Sequence, residues 1–335
     1  MKNHLNDIKS LLKSKGISIE DYSEIGYGKN SRSYKVFSNK QIYFLKIYSS
    51  DHKDKRDRLL TELNFLNFLK ESKFNNTPIP IVWDFKERWI LLSWINGEKL
   101  LNPSNDECKT LVDFLINLQD IRESKFAKKI GNASEAQFLI NDHINHVHER
   151  FKIANNFFHI YKENNIPKES SFFALEIFIN KLFRNFVEII EKSCDFSDSN
   201  KNFNKILSPS DVGFHNVLID RKKMYFIDFE YAGWDDPCKL ICDLVLQPDY
   251  PIPSKYIGTI NKLILNKNFP RDSLKNLDLM LNIYQTKWVL IILNTIIFSK
   301  KTIKENVFKK LLEKVSNYVT SSESRIFITK KTLFY

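Results

Sequence analysis

The chain has 335 residues, 43% of them apolar and 13% aromatic, which is about two domains' worth of length with ample core-forming matter and excludes a disordered chain. The net charge of +11 is spread along the chain in pairs such as Lys128-Lys129 and Lys330-Lys331, with no basic tail and no zinc-finger or RNA-binding signature, so a basic solvated surface or anionic small molecules are expected and nucleic acid is not. No apolar run reaches the roughly 18 residues of a membrane span, and Cys108, Cys194, Cys238 and Cys242 lack the companions of a zinc site.

In chain order, Leu5, Ile8, Leu11 and Leu12 recur at helical spacing and predict a short amphipathic helix over residues 4–15. With no leader-like apolar stretch ahead of a cleavage site, and with cysteines that read as reduced buried thiols, a cytoplasmic location is expected. Strands follow at Tyr22–Tyr27, Ser33–Ser38 and Ile42–Tyr48, the last two joined by Ser38-Asn39-Lys40. A helix over Asp57–Glu71 precedes strands at Ile81–Phe85 and Trp89–Trp94. After Gly97 the spacing turns helical over residues 104–200 and 255–320, with one hairpin at Val217–Phe229. Trp288–Phe298 is the longest apolar run and reads as a buried helix. This order predicts an α+β chain of two lobes, a small β-rich lobe over residues 1–96 and a larger helical one over residues 97–335.

Chemistry concentrates in a few segments. Of only eight glycines, five fall at Gly26 and Gly28, Gly97, Gly213 and Gly233, where close approach or unusual backbone angles are expected. In Ser208-Pro209-Ser210-Asp211-Val212-Gly213-Phe214-His215-Asn216, an acid lies on a loop and an amide opens the hairpin that follows. A second acid, Asp228, ends that hairpin in Met224-Tyr225-Phe226-Ile227-Asp228-Phe229-Glu230. A hairpin brings its outer ends together, so Asn216 and Asp228 should be neighbours with Asp211 beside them. Two oxygen ligands beside a third carboxylate suit Mg²⁺, and the third carboxylate can take a proton from a hydroxyl.

Upstream, Gly26-Tyr27-Gly28-Lys29-Asn30-Ser31 is a turn whose backbone N–H groups can lie over phosphates, with Gly26, Gly28, Asn30 and Ser31 as its candidates. Lys46 interrupts the apolar strand Phe44–Tyr48 and asks for a partner. Glu62 borders the stripe Leu59, Leu63, Leu66, Leu69 on the next helix and is the expected one. Ser93, Trp94 and Ile95 end a strand at the lobe boundary, where backbone and ring could meet an adenine.

Taken in this order over Glu24 to Leu246, these segments resemble the aminoglycoside phosphotransferase/choline kinase-like family, a branch of the protein-kinase-like fold. The resemblance implies ATP and Mg²⁺ as cofactors, Asp211 as the catalytic aspartate, Asn216 and Asp228 as metal ligands, and the Lys46–Glu62 pair on the nucleotide phosphates. It also implies that Asp243 braces the catalytic loop. Pro209 stands where the family carries a histidine, and Gly213 carries neither the lysine nor the histidine common at that place, which leaves His215 or Lys29 to stand in. No Ala-Pro-Glu motif follows Asp228, so a protein kinase is not expected.

A small-molecule hydroxyl acceptor is the expected partner. The end of the chain, Arg325 to Tyr335, is basic and aromatic, so a neutral or anionic sugar derivative fits better than an aminoglycoside or amino alcohol. Candidate acceptor residues are Asp142, His146, Arg150, Asp235, Gln285, Lys287 and Trp288. His143, His146 and His148 diverge around one helix and read as a solvated face.

Overall fold

The computed structural model describes residues 9–10, 12–13, 15–27, 31–38, 40–49, 56–165, 170–193, 204–299 and 303–333. Of the helix expected over residues 4–15, residues 9–10 and 12–13 are helical; Leu5, Ile8 and Leu11 lie outside the described residues, as do Gly28, Lys29, Asn30 and Cys194.

Strands β1 (Asp21–Tyr27), β2 (Ser31–Ser38), β3 (Gln41–Tyr48), β4 (Pro80–Asp84) and β5 (Trp89–Ser93) form an antiparallel sheet in the order β1-β2-β3-β5-β4. Side chains alternate across it. Leu45, Trp89 and Leu91 join Leu12, Tyr34 and Val36 on one face, while Ile90 and Leu92 join Leu59, Leu63 and Leu66 on the other. Helix α1 (Arg58–Glu71) covers that second face, and the Asp57 carboxylate caps it by accepting from the Leu60 N–H at 3.1 Å. Lys46 pairs in register with Ile90. Its side chain therefore shares the face beneath α1, which is the reason a lysine there needs acidic partners.

The rest of the described chain is mainly helical: α2 (Asn105–Asp120), α3 (Ile140–Asn165), α4 (Ser170–Ser193), α5 (Pro237–Leu246), α6 (Leu277–Ile292) and α7 (Glu305–Leu333). Helix α6 is central, touching α3, α4, α5 and α7. The stretch Arg271–Ile297 reaches the length and hydropathy of a membrane span, but Leu277, Leu281, Tyr284 and Val289 are buried among those helices. Two small sheets sit beside them: β6 (Glu98–Lys99) with β8 (Val217–Asp220) and β9 (Lys223–Phe226), and β7 (Ile206–Ser208) with β10 (Gly233–Asp235). The expected hairpin is shorter than read, because its ladder ends at Phe226. Arg221 and Lys222 make its tight turn with φ of 48° and 71°.

Gly97 and Gly233 are close-approach positions. A Cβ on Gly97 would sit 2.9 Å from Leu218 Cβ, and one on Gly233 would sit 2.5 Å from Ala133 N. Gln119, fully buried, ties α2 to β7: its Nε2 donates to Leu207 O at 2.8 Å and its Oε1 accepts from Leu207 N–H at 3.2 Å. Gln119→Leu strands both backbone groups inside the protein. It is expected to lower unfolding stability by about 1–3 kcal/mol in urea titration; an unchanged midpoint would show that these bonds hold nothing.

Candidate active site

Lys46 is the hub. Its Nζ lies 2.8 Å from Glu62 Oε2, 2.7 Å from Asp228 Oδ1 and 2.9 Å from Glu230 Oε2. Burial would strip the charge from this amine, but Asp228, Glu62 and Glu230 outweigh it and hold Lys46 well above the ordinary lysine range. The Tyr48 hydroxyl donates to Glu62 Oε2, and Arg58 Nη1 holds the far oxygen of Glu230 at 2.8 Å. Glu62, Asp228 and Glu230 have ligand oxygens within 4.8 Å of one another, and the Lys46 ammonium is bonded to all three. Three carboxylates face two cations here. Phe229 anchors the segment by stacking on Phe65 of α1 at 5.3 Å, so its neighbours Asp228 and Glu230 are carried to the same lysine.

The loop after β7 makes the second half. Ser210 and Asp228 both have φ of 65°, a left-handed conformation that Asp tolerates and Ser adopts less readily. The Asp211 N–H bonds Pro209 O at 2.8 Å, and Asn216 Nδ2 donates to Asp211 O at 2.9 Å. The Ile227 N–H donates to Asn216 O at 3.0 Å, which brings the end of the hairpin against its start. His215 Nε2 is 3.2 Å from Asp211 Oδ1. Asp211 and Asp228 keep side-chain exposures of 37% and 43%, so both carboxylates remain reachable while their scaffold is buried.

Lys239 of α5 fastens this loop from below. Its Nζ bonds Asp235 Oδ2 at 2.7 Å, Asp243 Oδ2 at 2.9 Å and Ser210 Oγ at 2.8 Å. Burial works against its charge, but Asp235 and Asp243 outweigh that and raise it. Asp243 is itself raised to about 6 by burial, against the pull of Lys239.

A cavity of about 590 Å³ opens beside Asp211, with Arg56, Glu135, Arg150, Lys287 and Trp288 in its wall. Glu135 receives Lys287 at 3.1 Å, Arg56 at 3.4 Å and Arg150 at 3.6 Å. Burial alone would raise the Glu135 carboxyl, but Lys287 and Arg150 hold it well below the usual carboxylate range. His146 accepts from Arg150 Nε at 3.0 Å. Burial, then Lys287 and Arg150, push it down to about 4.

The expected residues are therefore placed unevenly. Lys46, Glu62 and Asp228 meet, and Asp211 with Asn216 lies on the adjoining loop. Gly26 sits at a bulge in β1 and Ser31 opens β2, on either side of the phosphate-loop residues Gly28 and Asn30 that lie outside the described residues. The Ser93 N–H donates to Ile79 O and its hydroxyl accepts from Ile79 N–H, both at 2.9 Å, so two of its polar groups are engaged in the sheet. Trp94 and Ile95, both half-buried, follow it where β5 ends, with Lys35 Nζ over the Trp94 ring at 4.7 Å. Of the acceptor candidates, Arg150, Lys287 and Trp288 line the cavity. Asp235 is instead bound to Lys239, and Gln285 donates to Ser322 Oγ at 2.8 Å. The three histidines are no solvated face: His143 is buried with its Nδ1 3.1 Å from the Tyr284 hydroxyl, and His148 packs on Phe183 and Phe186.

Sequence reading missed Arg58, Glu135, Glu230 and Lys239. Two of them left a signal. Arg58 precedes Glu62 by one helical turn, and Lys239 precedes Asp243 by one turn of α5, the spacing of stacked partners on a helix.

No family model matches the chain, and no curated protein matches it by sequence. Solved structures do match. Spectinomycin phosphotransferase APH(9)-Ia, solved with ADP and spectinomycin, superposes with a TM-score of 0.65 at 14% identity, over 96% of this chain and 98% of that one. ADP-bound aminoglycoside phosphotransferase APH(2'')-Ib gives 0.56 at 16% identity over 97% and 99%. Aminoglycoside phosphotransferase APH(4)-Ia gives 0.56 at 11% identity over 98% and 99%. The chain has the fold of the aminoglycoside phosphotransferases, a protein-kinase-like fold, along nearly its whole length.

The ionisation of His146 and Asp243 makes stability depend on pH in opposite senses. The folded His146 value lies below its ordinary 6.5, so its contribution is complete above that pH and lost as pH falls toward about 4. Asp243, raised to about 6, contributes at low pH and loses that contribution as pH rises through about 6. Unfolding titrations of the native chain and His146→Gln across this range separate the two: the native chain should lose stability relative to the variant as pH falls. A constant difference between them would contradict the placement of His146 as a neutral acceptor for Arg150.

Proposed function

We propose that this chain, built on an aminoglycoside phosphotransferase fold, is an enzyme that transfers the γ-phosphoryl group of ATP to a hydroxyl of a small molecule such as a sugar or sugar derivative. The observation that carries this reading is the meeting of Lys46, Glu62 and Asp228 beside the loop of Asp211 and Asn216, with a cavity opening at Asp211. Phosphoryl transfer needs placement and charge neutralisation more than covalent help. Those needs match a fixed ammonium, a reachable carboxylate and a cavity for the acceptor.

The donor set fits Mg²⁺. Asn216 spends its amide N–H on the Asp211 carbonyl, which leaves its amide oxygen as an acceptor, and Asp228 is half-exposed with one oxygen on Lys46. An amide oxygen and a carboxylate suit an ion that takes oxygen ligands and keeps sites for phosphates. Bound there, the ion would supply positive charge to the phosphates. Lys46, held charged by its three acids, adds a fixed ammonium on the same side. Gly26, near the end of β1, and Ser31, at the start of β2, would border the phosphates, and Trp94 with Ile95 would offer the adenine a ring and a backbone edge.

Asp211 takes the acceptor proton. The acceptor oxygen bonds to the γ phosphorus, the bond from that phosphorus to the β–γ bridging oxygen breaks, ADP leaves with that electron pair, and the hydroxyl proton passes to the Asp211 carboxylate. His215, 3.2 Å from that carboxylate, fixes which of its oxygens faces the cavity. Lys239 holds the loop through Ser210, so the acid is delivered from a rigid base.

Asp211→Ala and Asp228→Asn test this. Asparagine is chosen at 228 because it tolerates the left-handed backbone there. Each variant should fold and lose ADP release with Mg-ATP and acceptor by at least about a hundredfold. Wild-type turnover in either folded variant would overturn the assignment.

A further inference from the structure

We infer that the acceptor brings its own negative charge, a carboxylate or a phosphate ester, and that Arg150 and Lys287 receive it in the cavity beside Asp211. The inference rests on the transferase reading for the word acceptor. The anion site itself rests on the cavity alone.

Arg150 and Lys287 enter the cavity from different helices, α3 and α6, and meet at a single carboxylate, Glu135. Asp211 and Asp243 also line the cavity, but Asp243 is already bonded to Lys239, and the five cations there (Arg56, Arg58, Arg150, Lys239 and Lys287) outnumber the three acids; the Arg150 and Lys287 side chains are 19% and 7% exposed. Arg56 approaches the same Glu135 and adds to that sign. The compensation is also loose for Arg150. Among the described residues it makes one hydrogen bond, Nε to His146, and a 3.6 Å contact from Nη2 to Glu135, which is beyond ordinary hydrogen-bond length. A guanidinium has five N–H donors in a planar fork that matches a carboxylate or phosphate. The remaining donors have no protein partner in that set.

His146 cannot supply the missing negative charge. It is a neutral acceptor for Arg150, so it turns the guanidinium without quenching it. Keeping Arg150 and Lys287 on one shared acid, in a cavity whose cations outnumber its acids, is unfavourable unless a further anion joins. An amine at the same place would meet like charge. Trp288, Ile291 and Phe298 in the same lining add ring and aliphatic surface on which the body of a sugar or short acid can lie. The occupant thus has an anionic end at Arg150 and Lys287, a body over Trp288, and a hydroxyl at Asp211.

Equilibrium calorimetry on the full chain without nucleotide tests this, using inorganic phosphate and glucuronate as anionic probes and glucose and glucosamine as neutral and cationic ones. The anions should bind, glucuronate at least about tenfold tighter than glucose or glucosamine. Arg150→Gln and Lys287→Met should each lose that preference, while Asp228→Asn, at the nucleotide end, should keep it. Phosphate bound without glucuronate identifies a phosphate ester, and glucuronate without phosphate a carboxylate. Equal or tighter binding of glucosamine, binding indifferent to both variants, or no binding of either anion would overturn the inference. Anion binding that depends on Arg150 in a chain that never releases ADP would leave the site standing and remove the transferase reading. ADP release with a preference for neutral or amine acceptors would do the reverse.

Discussion

One buried ammonium organises the site. Lys46 sits on a strand face that its neighbours Ile90 and Leu92 make apolar, beneath a helix whose inner surface is leucine. A charge there is untenable alone, and the chain surrounds it with acids from two sources, Glu62 from α1 and Asp228 with Glu230 from beyond β9. Because these acids belong to distant parts of the sequence, satisfying Lys46 also fixes how the sheet, the helix over it and the hairpin segment sit together. Losing one partner of such a buried group typically costs about 3–5 kcal/mol, so the arrangement is held by the cost of breaking it more than by the strength of any one pair.

Lys239 repeats the device one layer down. It gathers Asp235, Asp243 and Ser210, and through Ser210 it governs the left-handed residue just before Asp211. The two lysines thus anchor opposite sides of one reactive edge. Between them Asp211 and Asp228 remain half-exposed. A rigid base with two reachable carboxylates suits a reaction that gains from positioning. The cavity beyond Asp211 has the opposite electrostatic character: its lining cations outnumber its acids, whereas three carboxylates face two cations around Lys46.

Much of the sheet was legible because its strands are short runs rich in apolar residues bounded by turn residues, and Lys46 stood out by interrupting one of them. The acid-loop-amide-acid order of Asp211, Asn216 and Asp228 was legible because a hairpin must bring its ends together. Glu62 was placed only at the border of the apolar stripe, and the structure buries it fully; helical period gives a direction but no depth. Glu230 and Glu135 were invisible for a different reason. Their roles come from long-range partners, Arg58 and Lys46 for the first, Arg150 and Lys287 for the second, and no local pattern encodes those meetings. The bonds of Ser93 to Ile79 were invisible because a strand end looks open in sequence. The histidines of α3 misled because spacing shows divergence and says nothing of Tyr284, beside the buried His143, or of Phe183 and Phe186, which half-bury His148.

The central claim is that Lys46, Asn216 and Asp228 form a site for metal-bound ATP. Calorimetric titration of the full chain with ATP, with and without Mg²⁺, tests it most directly. The account predicts one ATP per chain, binding weakened at least about tenfold when the metal is withheld, and a metal dependence that disappears in Asp228→Asn. No ATP binding, or binding indifferent to both the metal and Asp228, would contradict it.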